Sequence, residues 1–549
     1  MKYSKSRQIV SPHPFGVGKI KTVLVLSLAL FLSGCGEKHS LSFVVVTPEE
    51  DPFEGVTQMI LRIGNKEKTE TVSDSGSISM SLNVAYGERV QLELIGLDAE
   101  GDVLCSGKSP LFYAVGSKQK LRLWVSRAGE LSLHPEQLEQ AAGRMSFADY
   151  LLESHGGVDG NLLLYSFWFG GCDSMGLPVD TTGFFDPYLQ ETVALPRMED
   201  SGSWIDPMAP VEPRCESAVM GVESGYFLIY GGVDSDGYAT DTMYLVVPRA
   251  DDYKYMELNM GNNDNGEDWT RSGSQTVTFG PYPGLYTEGY HRIVNNFLIT
   301  GGRNSLSSRS QTALHVVSKL SSHAWDYMFE MESVELLEPR GSSHTATVTV
   351  SRENDVEVRT VLLFGGTEDA TGVYMAETLR YAIDWAQPDW NWSWIQKGYD
   401  LDEGGEILPA VTGHAAVTLT DGAILVAGGK RSDGVRLADA WLFDPRGDTI
   451  TRLPDFLDEP RAGHTMTRTG NIVLIAGGEK GDGVLAEDAL LVTDDRLNGI
   501  LEQTGRVRMN VPRWGHGAII LGNGEIALLG GFDHGAGPLK SIEIFNPRF

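Results

Sequence analysis

The chain repeats one hydrophobic pattern seven times, an apolar run of about five to eight residues that ends in Gly-Gly. Runs of Ile, Leu, Val, Phe and Tyr of this length predict buried β-strands. Successive doublets lie 49 to 70 residues apart, a period that predicts a repeat fold in which no copy buries its own apolar face. The second glycines of the doublets are Gly171, Gly232, Gly302, Gly366, Gly429, Gly478 and Gly531.

Two further patterns flank the doublets. A second short apolar run follows each one after 12 to 15 residues, and some of these runs end in a turn dipeptide such as Asp444-Pro445. Gly-His precedes the last three doublets, at Gly413, Gly463 and Gly515. Each repeat therefore predicts four antiparallel strands, with a fourth strand such as Thr449–Leu453. Radial tiling of such units protects their edges, so we predict an all-β fold with a seven-bladed β-propeller over residues 128–549.

The doublets, the Arg-x-Gly-His starts at Arg461 and Arg513, and the Asp-Pro ends resemble those of kelch-repeat propellers. This family includes bacterial members related to the galactose oxidase scaffold. The resemblance covers Gly129–Phe549 and is closest in the last three repeats. It implies a kelch-type propeller, but the scaffold hosts enzymes, sugar binders and protein adaptors, so it does not choose among them.

The N-terminus has the pattern of an exported lipoprotein. Scattered Lys and Arg residues precede the short apolar stretch Val23–Leu32, and Ser33-Gly34-Cys35 follows. This arrangement resembles a bacterial lipobox, which implies a signal peptide at 1–34, lipid on Cys35 and a tether at 35–41. Gly36 rather than Asp follows the cysteine, which favours the outer membrane of the bacterial cell envelope. Ten apolar residues are too few to cross a bilayer, which argues against a spanning anchor.

Residues 42–127 alternate apolar and polar positions in short runs separated by Gly, Asn and Asp turns. This pattern predicts a small β-sandwich that would hold the propeller away from the membrane. The predicted strands are Phe43–Val46, Met59–Ile63, Ile78–Val84, Val90–Ile95 and Lys120–Val125. The following stretch, Pro135–Tyr150, is predicted as a short helix or an irregular connector.

Charge and cysteine content narrow the partners. The formal net charge is −30, and the predicted signal peptide carries only positive charges. A strongly acidic mature chain lacks the basic surface that phosphate backbones require, so we expect no nucleic-acid partner. With Cys35 assigned to lipid, Cys105, Cys172 and Cys215 remain. Because the positions of Cys172 and Cys215 on adjacent blades bring them to one face, we predict a disulfide between them and a buried thiol at Cys105.

The sequence offers little that predicts catalysis. His414, His464 and His516 occupy one equivalent position in three repeats, which favours a role in the scaffold over a metal site. The acidic loops after the doublets lack the spacing of a calcium loop and are interpreted as solvated turns. We therefore expect no cofactor and no bound metal. The alternative is an enzyme acting on carbohydrate, of the copper radical oxidase or sugar mutarotase type, although neither Cys172 nor Cys215 matches the oxidase cysteine motif.

The segment Trp385–Trp394 is the most unusual local sequence. Trp390, Trp392 and Trp394 alternate, so on a strand they share one face. Such a row either anchors a sugar or protein ligand at the surface or packs between blades. Together with the long insertion Asp251–Gly284, it leads us to expect a non-catalytic module that binds a protein or a carbohydrate.

The C-terminus carries one further prediction. Phe549 comes shortly after the third strand of the last repeat, so the chain there is too short for a fourth strand. An open ring would expose an unpaired edge. We predict that Gly129–Pro135 supplies the missing strand by pairing with Ile542–Phe545.

Overall fold

The structure is a computed structural model, and it describes most of the chain. The described residues are 25–34, 37–72, 77–85, 87–114, 120–153, 162–186, 188, 190–194, 213–222, 226–248, 253–258, 269–280, 286–287, 291–304, 308–321, 327–353, 356–366, 374–383, 394–481, 483–535 and 537–547. Cys35, Trp390 and Trp392 lie outside them, as does much of the 251–284 insertion.

Seven antiparallel sheets, named R1 to R7 here, follow one another along the chain, and each contains one Gly-Gly repeat. R1 contains Ser146–Glu153, Leu162–Phe169, Gly183–Asp186 and Glu191–Ala194. R2 contains Ala218–Val222, Tyr226–Tyr230, Met243–Pro248 and Tyr253–Leu258. R3 contains Gln275–Gly280, His291–Thr300, Ser310–Ser321 and Tyr327–Arg340, with Tyr286–Thr287 at its side. R4 contains His344–Glu353, Val356–Gly365, Ala376–Ile383 and Trp394–Tyr399.

The last three sheets are shorter and more regular. R5 contains Ala415–Thr418, Ile424–Ala427, Ala440–Asp444 and Thr449–Leu453. R6 contains Thr465–Thr469, Ile472–Ala476, Asp488–Asp495 and Ile500–Arg508, with a 3-10 turn at Arg496–Asn498. R7 contains Gly517–Ile520, Ile526–Leu529, Ser541–Phe545 and, from far upstream, Leu131–Gln137. Two-stranded hairpins stand above these sheets at Val411–Thr412 with Lys430–Arg431, Glu479–Gly481 with Val484–Leu485, and Phe532–Asp533 with Gly537–Pro538.

The first strands of neighbouring sheets contact one another in order from R1 to R7, and the first strand of R7 also contacts that of R1. Apolar clusters fill the spaces between adjacent sheets, as where Leu425 and Val473 of R5 and R6 share one core. The fold is therefore all-β, built from many small antiparallel sheets, and it fits a β-propeller-like arrangement.

The predicted closing strand is confirmed. Leu131 pairs with Phe545, Ser132 with Ile544 and Leu133 with Glu543, in antiparallel register. A strand that precedes R1 in sequence thus completes R7, because the third strand of R7 would otherwise present an unpaired edge. The expectation of a short helix over Pro135–Tyr150 is wrong: this stretch contains the end of the closing strand and the start of R1's first strand.

Residues before 128 form two facing sheets. One places Lys120–Trp124, Glu37–Val46, Val25–Gly34 and Ser77–Ala85 side by side. The other places Ser126–Arg127, Val103–Lys108, Leu92–Leu97, Gln58–Ile63 and Lys66–Thr71 side by side. Arg89–Val90 pairs with Phe112–Tyr113 beside them. One apolar cluster that includes Met59, Leu94 and Phe112 lies between the sheets, as in a β-sandwich.

The N-terminal boundary differs from the sequence-based expectation. Val25–Gly34, the apolar end of the predicted signal peptide, forms a strand between Glu37–Val46 and Ser77–Ala85. The strand Glu37–Val46 also begins inside the stretch predicted as a tether. Cleavage before Cys35 would remove the first of these strands from the sheet. Among the described residues, no helix is both long and apolar enough to span a membrane.

The sandwich contacts R1 and R7 at the ends of the sheets where first and second strands are joined. Asn523, in the turn between those strands of R7, donates from Nδ2 to the Lys108 carbonyl oxygen at 2.9 Å. The Tyr188 hydroxyl of R1 donates to the Leu111 carbonyl oxygen at 2.8 Å. The opposite ends of the sheets, which carry the Gly-Gly doublets, therefore face away from the sandwich.

Candidate functional site

One residue stands in the same left-handed backbone conformation just before the first strand of every sheet. We name these seven positions the inner-turn residues. Their φ angles lie between +48° and +76°. They are Arg144, Glu216, Gly273, Ser343, Gly413, Gly463 and Gly515, in R1 to R7 respectively. Backbone hydrogen bonds link several neighbours, such as Arg144 N to Gly515 O at 2.8 Å and Gly515 N to Gly463 O at 3.0 Å.

Three of these positions depart from glycine. A left-handed conformation costs a residue with a side chain roughly 1–2 kcal/mol, and glycine avoids this cost. Arg144, Glu216 and Ser343 nevertheless adopt φ of 48°, 58° and 76°. Because the four other sheets show that glycine fits here, the scaffold does not require these three side chains. Backbone strain of this kind concentrates at functional sites.

Two of the departures contact each other. The Arg144 guanidinium lies 3.0 Å from the Glu216 carboxylate, across the boundary between R1 and R2. The same guanidinium carbon lies 5.7 Å from the centroid of the Trp514 indole, which immediately precedes the inner-turn residue of R7. Trp514 in turn packs on Phe532, with ring centroids 5.0 Å apart. A cation, an anion and an aromatic surface are thus grouped at the end of the sheets distant from the sandwich.

A cavity of about 430 Å³ opens beside this group. Its walls include Arg144, Trp514 and Phe532, and the hairpins of R1 and R7 contribute Asp173, Asp533 and His534. Glu479 of R6 completes the lining, and the Arg436 guanidinium 2.6 Å away lowers the pKa of that carboxyl. The cavity combines apolar aromatic surface with a few polar groups, the composition typical of small-ligand sites.

Cys172 and Cys215 lie at the edge of this cavity. They form a disulfide in the structure, with their Cα atoms 5.0 Å apart, so R1 and R2 are joined covalently beside the Arg144–Glu216 pair. Among the described residues, one group of three potential metal ligands comes together, namely these two sulfurs and Glu216. Sulfurs bonded to each other are not thiolate ligands. Cys105 lies elsewhere, in the sandwich core, where burial raises the pKa of its thiol to about 12.

The hairpins that connect second and third strands add exposed apolar side chains to the same end. Leu177, Tyr238, Val435 and Val484 each lie one residue before the residue that closes the hairpin. Their exposed fractions are 44%, 65%, 49% and 58%. Asp173 and Asp234 hold two of these hairpins by accepting backbone N–H groups through Oδ1. Single exposed apolar residues are common, but here they recur on rigid turns around one cavity.

The repeated arginines and histidines serve the scaffold instead. Arg340 and Arg513 are fully buried and donate from Nη1 to the carbonyl oxygens of Gly365 and Gly530, at 2.7 and 2.9 Å. His414 Nε2 lies 3.0 Å from the carbonyl oxygen of Phe364 in the preceding sheet. Burial lowers the pKa of His414 to about 4 and that of His344 to about 3. These groups fix the Gly-Gly turns, as expected from their repetition.

The tryptophan segment does not contribute to the cavity in its described part. Trp394 begins the fourth strand of R4, is half-buried and packs on the His315 ring of R3, with centroids 5.3 Å apart. This position matches the interpretation of packing between sheets rather than a surface anchor. Trp390 and Trp392 lie outside the described residues, so their part of the prediction stays a prediction.

The sequence-based search missed Arg144, Glu216 and Trp514. A signal was available: aligning the repeats on the Gly-Gly doublets places Arg144 and Glu216 opposite the glycines of the Gly-His pairs. A charged residue opposite a repeated glycine marks a position where the scaffold and the side chain have different requirements.

Comparison with known proteins adds little. No family model and no curated protein matches the chain. Among solved structures, the chain is similar to YjhT, with a TM-score of 0.37 and 13% sequence identity, over 67% of this chain and 99% of that chain. A likeness this low carries no argument about function.

Proposed function

We propose that this chain is a bacterial envelope lipoprotein whose seven-bladed, kelch-type β-propeller is a non-catalytic binding module. Lipid on Cys35 and the β-sandwich would attach it to the membrane, most simply the outer membrane. The ligand, a protein or a carbohydrate, would bind at the cavity lined by Arg144, Trp514 and Phe532. No nucleic acid and no cofactor take part in this proposal.

The observation that carries the proposal is the pair of charged inner-turn residues. Arg144 and Glu216 hold a conformation that glycine adopts at the same place in four other sheets, and they meet at a cavity. The exposed hairpin residues on the same face support a surface for recognition rather than a buried reaction centre. The position of the sandwich at the other ends of the sheets leaves this face open to partners away from the membrane.

The test uses the full-length lipidated protein in detergent, applied to a glycan array and to envelope proteins from the host by crosslinking. Arg144→Gly removes the charge and restores the residue that the repeat uses, so the fold is kept. Trp514→Ala removes the aromatic surface. We expect each change to lower the affinity for a captured ligand at least tenfold.

The matched control is Arg506→Ala on the outer strand of R6. Arg506 is also half-exposed and also paired, with Asp458 at 2.7 Å, but it lies away from the cavity. Equal binding by the wild type and both cavity variants would contradict the proposed site. Copper-dependent oxidation of a sugar, or interconversion of sugar anomers, by the purified protein would replace it with the enzyme alternative.

The membrane attachment has its own test, because Cys35 lies outside the described residues. Cys35→Ala should abolish the lipid mass on the mature N-terminal peptide and move the protein to the aqueous phase of a detergent separation. An unmodified N-terminus beyond Cys35 in the native host would contradict a lipoprotein.

A further inference from the structure

A second cavity, of about 520 Å³, lies between the sandwich and R7, at the ends of the sheets opposite the proposed ligand site. Hydrogen bonds hold the two sides together around it. Asn523 Nδ2 donates to the Lys108 carbonyl oxygen at 2.9 Å, and Asn546 Nδ2 donates to the Ser106 carbonyl oxygen at 2.9 Å. Ligand sites occur preferentially at domain interfaces of this kind.

Glu525 lines this cavity although its side chain is almost completely buried, with 2% of the residue exposed. Its Oε2 accepts a hydrogen bond from Asn523 Nδ2 at 2.7 Å. No residue that the structure describes donates a hydrogen bond to Oε1. Burial raises the pKa of this carboxyl to about 8. A buried carboxyl with an unused oxygen facing a cavity is costly to keep, because its desolvation is only partly offset.

The repeat does not require an acid at this position. The residue before the second strand is Ala423 in R5 and Asn471 in R6, in the same kind of turn. Neither R5 nor R6 contacts the sandwich through this turn in the way that Asn523 of R7 does. The carboxyl therefore belongs to the cavity rather than to the scaffold.

The rest of the lining is acidic and apolar. Glu93, Asp98 and Asp102 of the sandwich bring three carboxylates, and Lys108 brings one ammonium group. Ile95, Val103, Leu104 and Ala128 supply apolar surface. Carboxylates at the entrance raise the local concentration of cations, and the apolar walls suit an alkyl chain.

We propose that this cavity binds a small organic cation whose primary ammonium group donates a hydrogen bond to the carboxylate of Glu525. On binding, Glu525 releases its proton to solvent and the ammonium nitrogen keeps its own, so the two groups meet as an ion pair. A metal ion fits less well, because Ca²⁺ requires six to eight converging oxygens. In the described part of this cavity, no three acidic or histidine side chains converge closely enough to hold an ion.

The experiment is calorimetric titration of the full-length protein in detergent at pH 7 with 1,5-diaminopentane. Measured in two buffers of different ionisation enthalpy, binding should release close to one proton per site, because a carboxyl with a raised pKa is protonated before the amine arrives. Glu525→Gln should weaken binding at least tenfold and remove the proton release. The neutral analogue 1,5-pentanediol should not bind.

Two further variants separate the site from general effects. Glu502→Gln removes an exposed carboxylate on the outer strand of R6 and should leave amine binding unchanged. Val103→Phe narrows the cavity from the sandwich side and should weaken binding even if Glu525→Gln fails to fold. Arg144→Gly should leave amine binding unchanged, which keeps this site distinct from the proposed ligand site. Unchanged binding in the Glu525→Gln and Val103→Phe variants, equal binding of the diol, or binding of Ca²⁺ in place of the amine would overturn the proposal.

Discussion

The regular sheets R5 to R7 and the irregular sheets R1 and R2 adopt the same inner-turn conformation with different residues. In R5 to R7 a glycine takes the left-handed conformation, and a buried histidine follows it. In R1 and R2 Arg144 and Glu216 take it, followed by Met145 and Ser217. Since the backbone is shared, the difference lies in the side chains. The regular sheets therefore reveal what the scaffold requires, and the departures reveal what it does not.

The largest expected effect concerns the buried ion pair of R7. Arg513 and Glu543 are both completely buried and lie 2.8 Å apart. Glu543→Ala would leave the guanidinium buried without its anion, so unfolding in urea should show a loss of about 3–5 kcal/mol. In R2 the matching contact is a hydrogen bond from Arg214 to the Tyr244 hydroxyl at 3.2 Å. Tyr244→Phe should cost about 1 kcal/mol, and equal losses in the two variants would contradict the distinction.

The disulfide is the next largest effect, and it stabilises the irregular region. Cys172 and Cys215 close a loop with a sequence separation of 43. Cys172→Ser with Cys215→Ser should lower the free energy of unfolding by about 2–4 kcal/mol, chiefly through the entropy of the unfolded chain. Reduction of the wild type with dithiothreitol should reproduce the shift, and Cys105→Ser should not. A melting temperature independent of both cysteines would show that the bond does not form.

Acid should weaken the regular region more than the irregular one. The pKa of His344 and His464 is lowered to about 3, and that of His414 to about 4, all by burial. Between these values and the unfolded pKa of about 6.5, the unfolded state binds more protons, so stability falls as pH falls from 6.5 towards 4. The slope is about 1.4 kcal/mol per pH unit for each histidine. Hydrogen exchange at pH 5 against pH 7 should rise more in R4 to R6 than in R1 and R2.

The smallest effect tests the comparison most directly, by exchanging residues between the two regions. Gly463→Arg places a side chain at φ of 73° and should cost about 1–2 kcal/mol. Arg144→Gly relieves the same conformation in R1 and should leave the free energy of unfolding within about 1 kcal/mol of the wild type. Urea denaturation of both variants measures this. A large loss for Arg144→Gly would mean that the arginine supports the fold and is not kept for binding.

The regular part of the fold could be predicted from the sequence because each repeat confirms the others. The fourth strand of R5, Thr449–Leu453, and the closing strand were both expected from spacing alone. The edge strand Lys66–Thr71 was missed, since its sequence KEKTET has almost no apolar residue. Charged edge strands protect a sheet from unwanted pairing, and they hide the pattern that identifies a strand.

The candidate site was less predictable, for a physical reason. Arg144 and Glu216 are 72 residues apart and meet only because adjacent sheets bring their inner turns together. Neither residue type favours a left-handed backbone, so local preference gives no indication of their conformation. The tryptophan row stands out by composition, yet Trp394 packs between sheets. Composition identifies unusual segments, whereas convergence of distant residues requires the fold.

The pairing of Leu131–Gln137 with Ser541–Phe545 has a consequence for how the chain folds. These segments lie about 400 residues apart, and bringing them together carries a loop-closure entropy of about 5 kcal/mol in an otherwise unfolded chain. Once R1 to R6 have formed, most of that distance is already spanned by folded sheets, and the cost of joining the ends becomes small. R7 should therefore be the last sheet to form. A chain emerging from a translocation channel N-terminus first would hold its closing strand unpaired until its final residues had passed through.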